Sequence, residues 1–185
     1  WDHSMDNNKR IMIRAYYDRY YFEGDYPYDY PPVTINRDTA LGQWVGTELN
    51  YSHQIGPNHF LIGGQVERHM NADQKNYDVE SDFVYTDDKR SFTSWSSYLQ
   101  DEIDISPKYR LIGGIRYDHY STFGEHLSPR AGFIIKPFTE TAIKLLYGQA
   151  FRAPNVYELY YQSITPSDST YKANPDLKPE ILTTY

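Results

Sequence analysis

The constraint that weighs most on this chain is a repeat of two. In residues 141–152, Ile143, Leu145 and Tyr147 fall on one side of an extended backbone, with Lys144, Gly148 and Arg152 on the other. Leu111, Ile115 and Tyr117 oppose Arg116 and Asp118 in the same way, and Ala131, Phe133 and Ile135 oppose Arg130 and Lys136. Further back, Phe60, Ile62 and Val66 oppose Gln65, Glu67 and His69, and Val45, Leu49 and Tyr51 oppose Glu48, Asn50 and Ser52. Successive side chains of a strand point to opposite faces, so each segment sets one face in an apolar phase and the other in water. No segment carries a helical period beyond one turn, expected at Asn155–Tyr160.

Eight strand-like segments follow: 9–22, 39–54, 59–70, 92–105, 109–120, 127–137, 141–152, and one starting near Pro179. Each is partly β-branched or aromatic and is bounded by Gly, Pro, Asn or Asp. Their connections alternate. Gln54–Asn58, Ser106–Lys108 and Pro137–Glu140 are short, whereas Glu23–Asp38, Asn71–Ser91, Ser121–His126 and Ala153–Lys178 are long and polar. Outer-membrane barrels keep short turns at the periplasmic end and long loops outside. By that rule Arg152 ends a strand at the outer rim. The fourth segment breaks the pattern, because Asp101 shares a face with Leu99, Ile103 and Ile105. Either Asp101 sits near a rim or a bulge shifts the register.

Composition sets the bounds. No stretch approaches the roughly 18 apolar residues of a membrane helix. That leaves a barrel open, where only alternate residues meet lipid. Twenty of the 185 residues are Tyr, whose apolar ring and polar tip suit a membrane boundary. A net charge of −7 argues against a nucleic-acid partner. The absence of Cys agrees with an exported protein. The inward face is rich in Arg, Lys, Glu, Gln and Asp. That suits a wide, wet or plugged lumen better than a closed eight-stranded barrel. A Tyr-rich, glycan-binding β-sandwich is the soluble alternative.

Two motifs go further. Phe151-Arg152-Ala153-Pro154-Asn155 with Glu158-Leu159, and Asn174-Pro175 with Leu177-Lys178-Pro179-Glu180, closely resemble the late-barrel signature of TonB-dependent outer-membrane receptors. Tyr98–Glu102, Gly114–Asp118 and Ser128–Arg130 match less specifically. The resemblance implies an all-β, antiparallel, up-and-down transmembrane barrel. Residues 1–185 would form one partial barrel domain of about eight consecutive strands out of about 22. It implies a bacterial outer-membrane location and TonB-energised uptake of a scarce nutrient of the siderophore–iron, haem or cobalamin class. TonB would act through an N-terminal plug and TonB box, neither visible here. A passive porin-like barrel is the membrane alternative.

The motif reads as a brace. Pro154 removes a ladder donor and ends the strand. Arg152 is suited to fork onto carboxylates, with Glu158 and Glu180 the nearest candidates. Pro175 and Pro179 stiffen re-entry into the wall. Ligand contact is expected instead from aromatic outer loops, at Tyr157, Tyr160, Tyr161 and Tyr171, and from His119 and His126, which flank one loop. Tyr26, Tyr28 and Tyr30 are read as loop or boundary packing. No catalytic residues, no bound cofactor and no metal site are expected. None of the six His has zinc-site spacing, and Asp82, Asp87 and Asp88 lack a calcium-loop pattern.

Overall fold

A computed structural model describes residues 1–6, 8–29, 32–164 and 169–185. Its strands are β1 (Asp2–Asp6), β2 (Lys9–Tyr28), β3 (Thr34–Ile55), β4 (Asn58–Asp78), β5 (Val84–Asp88) and β6 (Phe92–Ser106). β7 (Tyr109–Tyr120), β8 (Gly124–Phe138) and β9 (Thr141–Arg152) follow, then the short helix α1 (Val156–Tyr160). β10 (Ser163–Ile164), β11 (Ser169–Tyr171) and β12 (Glu180–Thr184) complete the chain. One antiparallel sheet runs β1-β2-β3-β4-β6-β7-β8-β9-β12, with β5 attached to β4 and β10–β11 apart. Every neighbour in the wall is a neighbour in sequence once the short outer strands β5, β10 and β11 are set aside. This is the up-and-down order of a barrel wall, here an open arc.

The apolar faces stay uncovered. Ile13, Leu49, Ile62, Val66, Leu99, Leu111, Ile115, Ile143 and Leu145 are all exposed. Leu159 alone, among the described hydrophobic residues, is buried, at 1 %. A sandwich of two sheets would bury these rows against each other. A wall facing lipid leaves them outside, so the structure selects against the soluble alternative.

Two-residue connections join β3 to β4, β6 to β7 and β8 to β9. At the first, Gly56 holds φ +58 ahead of Pro57. Glycine at the first central position is what a II′ hairpin needs.

The opposite end differs from expectation at several points. β2 and β3 pair continuously up to Tyr28↔Thr34, so most of 23–38 is strand. The expected boundaries were drawn where apolar alternation stops. Above the membrane both faces meet water, and cross-strand pairs such as Arg37 Nε to Asp25 Oδ1 at 2.6 Å carry the ladder instead. Pro27 pairs with Ile35 within this ladder. β4 likewise continues to Asp78 and pairs with β5. The connection after β7 is not long: only 121–123 separate Tyr120 from Gly124. β1 adds a ninth wall strand, in a segment whose Asp and Ser gave no strand signal.

Asp101 keeps regular register, opposite Phe60 and Gly113. The irregularity in this strand lies lower, between Asp104 and Ser106. Asn58 Nδ2 donates to the Asp101 carboxylate at 2.7 Å, giving it a polar partner on the outer side of the wall.

Candidate functional site

The inner wall is built by tyrosines laid across glycines. Tyr16 lies opposite Gly46 and Tyr98 opposite Gly63. A Cβ on either glycine would stand within 2.6 Å of the facing ring, so only glycine lets the rings lie flat there. The rings carry their hydroxyls to the next strands. Tyr16 donates to Glu67, and Gln65 Nε2 donates back to the Tyr16 oxygen at 2.8 Å. Tyr98 reaches Asn50, and Glu48 at 3.1 Å. Arg116 holds Asp118 at 2.8 Å and donates to Ser96 Oγ at 2.9 Å. Asp118 is only 3 % exposed, and pairing with Arg116 offsets the cost of burying it. A lumen-side cleft of about 420 Å³ opens beside Tyr98, Arg116, Asp118, Arg130, Gln149 and Phe151.

The outer mouth is organised by the segment after β9. Arg152 Nη1 lies 2.9 Å from Glu158 Oε1, and its Nε and Nη2 meet Glu180 at 3.0 and 2.8 Å. Glu180 stands directly opposite Arg152 in the β9–β12 ladder, which places the second carboxylate. Asn155 caps α1. Its side chain accepts from the Glu158 N–H at 2.8 Å, and Glu158 accepts from the Asn155 N–H at 2.9 Å. This reciprocal box satisfies two helix-end donors. The Asn155 N–H, with the Arg152 guanidinium behind it, holds the Glu158 carboxyl below the usual carboxylate range. Asn174 closes a turn through the Asp176 and Leu177 N–H groups before Pro179 leads into β12.

So braced, α1 reaches across to the β3–β4–β5 extension. Gln74 Nε2 donates to the Val156 carbonyl at 3.1 Å, 82 residues away in sequence. The Arg90 guanidinium sits 3.7 Å from the centre of the Tyr160 ring. Tyr161 OH lies 3.5 Å from Asp38 Oδ1. Beneath it Asn36, Asp38, Asn76 and Asp78 bond to one another, with Asn76 5 % exposed. Leu159 of α1 is buried. These contacts lie too far apart in sequence for the motif to have signalled them.

The residues expected to meet ligand are therefore divided. Tyr157 is exposed and stacks on Tyr161 at 4.3 Å, while Tyr160 is covered by Arg90. Tyr171 is on β11, and its side chain lies outside the described residues, as does Tyr30. His119 and His126 are not brought together. His119 stacks on Trp95 on the outer face, whereas His126 packs against Phe151 at 4.7 Å. Phe151 departs from the stripe of Ile143, Leu145 and Tyr147. The β8–β9 ladder ends at Arg130↔Gly148, and beyond it Phe151 meets the rings of Tyr120 and Phe123. Asp88 is held by Arg90 at 2.9 Å, and Asp87 lies 4.0 Å from Lys89.

The family model for the β-barrel of TonB dependent receptor-like proteins matches residues 1–185. The chain belongs to the TonB-dependent receptor family. It is thus a wall segment of a barrel of the bacterial outer membrane. An iron-regulated outer membrane virulence protein of Vibrio cholerae is 29 % identical over 124 residues, covering 66 % of this chain and 18 % of that protein. A ferric enterobactin receptor of Pseudomonas aeruginosa is 29 % identical over 65 residues, covering 35 % of this chain and 9 % of that protein. The chain spans less than a fifth of the length of these relatives. Among solved structures, a copper transporter superposes with a TM-score of 0.73 at 16 % identity, over 97 % of this chain and 33 % of that one. A ferric enterobactin receptor of Pseudomonas aeruginosa superposes at 0.70 and 18 % identity, over 95 % and 29 %. At these identities the superpositions speak to the fold.

Proposed function

We propose that the receptor containing this wall takes up an iron–siderophore complex across the outer membrane, energised by TonB. One observation carries the reading: the wall is apolar outside and polar inside, and a braced loop rich in tyrosine folds over its outer end. An apolar outside needs lipid. A polar lumen with a Tyr-lined mouth suits a polar ligand presented from outside. The relatives named for iron regulation and ferric enterobactin favour iron–siderophore over haem or cobalamin. Arg152, Glu158 and Glu180 act as braces, and Tyr157, exposed and stacked on Tyr161, presents an aromatic surface at the outer end.

The test is uptake of ⁵⁵Fe-loaded catecholate siderophore by cells carrying the intact receptor as their only route. Uptake should cease when TonB is deleted or the proton gradient is collapsed. Uptake that persists without TonB would instead identify a passive pore.

A further inference from the structure

We infer that the lumen-facing side of upper β2 is a sugar-binding platform, built by Phe22 and Tyr26 with Asp38. A glycine makes the platform. A Cβ on Gly24 would stand 2.8 Å from Phe22 Cζ and 3.2 Å from Tyr26 Cε2, so the two rings lean over Gly24 from either side. Both rings are exposed among the described residues. Phe22, Gly24 and Tyr26 lie opposite Ala40, Asp38 and Asn36. Ala40 in turn lies opposite Gln74, whose Nε2 bonds α1, so the platform shares the face that the outer loop folds over. Beside it the wall steps down, because Gly42 lies opposite Tyr20 and Ala72 opposite Gly42. Lipid is not what this face meets. Phe22 stands 13 residues past Lys9 along β2. At about 3.3 Å per residue and a tilt near 40° that is roughly 33 Å, above an apolar band of about 25 Å.

An aromatic face in water takes either another planar ring or the C–H face of a sugar, and charge decides between them. Asp38 and Asp78 are the acids beside the platform, one opposite Gly24 and the other opposite Asn36. The cations Arg37 and Lys75 occupy the alternate face of their strands, where Asp25 holds Arg37. Arg90, next to α1, is committed to Asp88 and the Tyr160 ring. This surface repels an anionic chelate and suits a neutral, polyhydroxylated ring. Asp38 supplies the polar half of the grip. Its Oδ1 accepts from Asn76 Nδ2 and Tyr161 OH, and among the described residues Oδ2 has no partner. Residues facing each other across a ladder lie about 5 Å apart. A hexose stacked on Phe22 and Tyr26 therefore brings its hydroxyls to Asp38, and a carboxylate acceptor makes the stronger kind of hydrogen bond. Resting on the iron–siderophore cargo proposed above, the sugar is one borne by the chelator.

The experiment measures binding of a ferric tris-catecholate, with and without glucosyl groups, to the intact receptor in micelles. The wild type should bind the glucosylated chelate about ten-fold more tightly. Phe22→Ala with Tyr26→Ala should remove that gain and leave affinity for the plain chelate unchanged. Gly24→Ala keeps both rings but drives them apart; it should also remove the gain, and it serves if the double variant fails to fold. Tyr21→Ala, on the outward face of the same strand, should keep the gain. Equal wild-type affinity for the two chelates, or a gain that survives both the double variant and Gly24→Ala, would overturn the inference and leave the uptake reading standing. Binding of neither chelate would count against that reading instead, and cellobiose then decides the site. Cellobiose bound by the wild type and lost in Gly24→Ala would support a platform for free sugar, and no cellobiose binding would overturn it.

Discussion

Replacing Gly63 with alanine tests how the inner wall is built. The Tyr98 ring crosses Gly63 to reach Glu48 and Asn50 on β3. A Cβ at 63 would stand 2.5 Å from Tyr98 Cζ and 2.3 Å from Asn50 Oδ1. Both contacts must be relieved, and the only movable groups are the two side chains. Tyr98 then loses its bonds to Glu48 and Asn50, at about 0.5–1.5 kcal/mol each. The stiffer alanine returns about 0.4–1 kcal/mol through the unfolded chain. The net cost is about 1–2 kcal/mol. In a Tyr98→Ala background the ring is gone and Asn50, no longer bonded to the Tyr98 hydroxyl, can turn aside, so the same substitution should be close to neutral. Guanidinium unfolding of the intact receptor in micelles, run as a double-mutant cycle, should therefore give a coupling of about 1–2 kcal/mol. An equal cost for Gly63→Ala in both backgrounds would refute the reasoning.

Three further outcomes follow from the same geometry. Glu158 has a depressed folded pKa, so its contribution is present above the ordinary Glu value near 4.3 and is lost as pH falls through the folded value; the protection of the Leu159 N–H against hydrogen exchange, relative to its intrinsic rate, should hold above that ordinary value and drop as pH falls below it, the bond to the Asn155 carbonyl at 3.1 Å opening more often. Asn155→Ala removes the cap and should loosen α1 by about 0.5–2 kcal/mol, seen as faster exchange at Glu158 and Leu159 with the wall amides unchanged. Leu145→Arg puts a charge on the lipid side and should cost about 2–4 kcal/mol in bilayer-referenced unfolding, whereas Lys144→Arg on the opposite face should stay within about 0.5 kcal/mol.

The wall was legible in the sequence because lipid on one side and water on the other impose a period of two. That pattern placed β6, β7 and β9 at their observed ends to within a residue. It stopped being informative where the strands leave the membrane, which is why upper β2, β3 and β4 read as loop. Backbone ladders and pairs such as Arg37–Asp25 hold them, and neither has a hydrophobic signature. The Arg152 brace was readable because both carboxylates lie within the motif. The bonds of α1 to Gln74, Arg90 and Asp38 join distant segments, and only the fold brings them together. His119 and His126 misled for a related reason: closeness in sequence across a turn says nothing of which face each occupies.

The central claim is that this wall spans the outer membrane with its two-residue turns inside and the braced loop outside. The chain contains no Cys, so single introduced cysteines report cleanly within it. Ser81→Cys sits between β4 and β5, and Thr139→Cys in the β8–β9 turn. With a membrane-impermeant maleimide on intact cells, the account predicts labelling of Ser81→Cys at once and of Thr139→Cys only after the outer membrane is opened. Labelling of Thr139→Cys on intact cells, with Ser81→Cys silent, would contradict it.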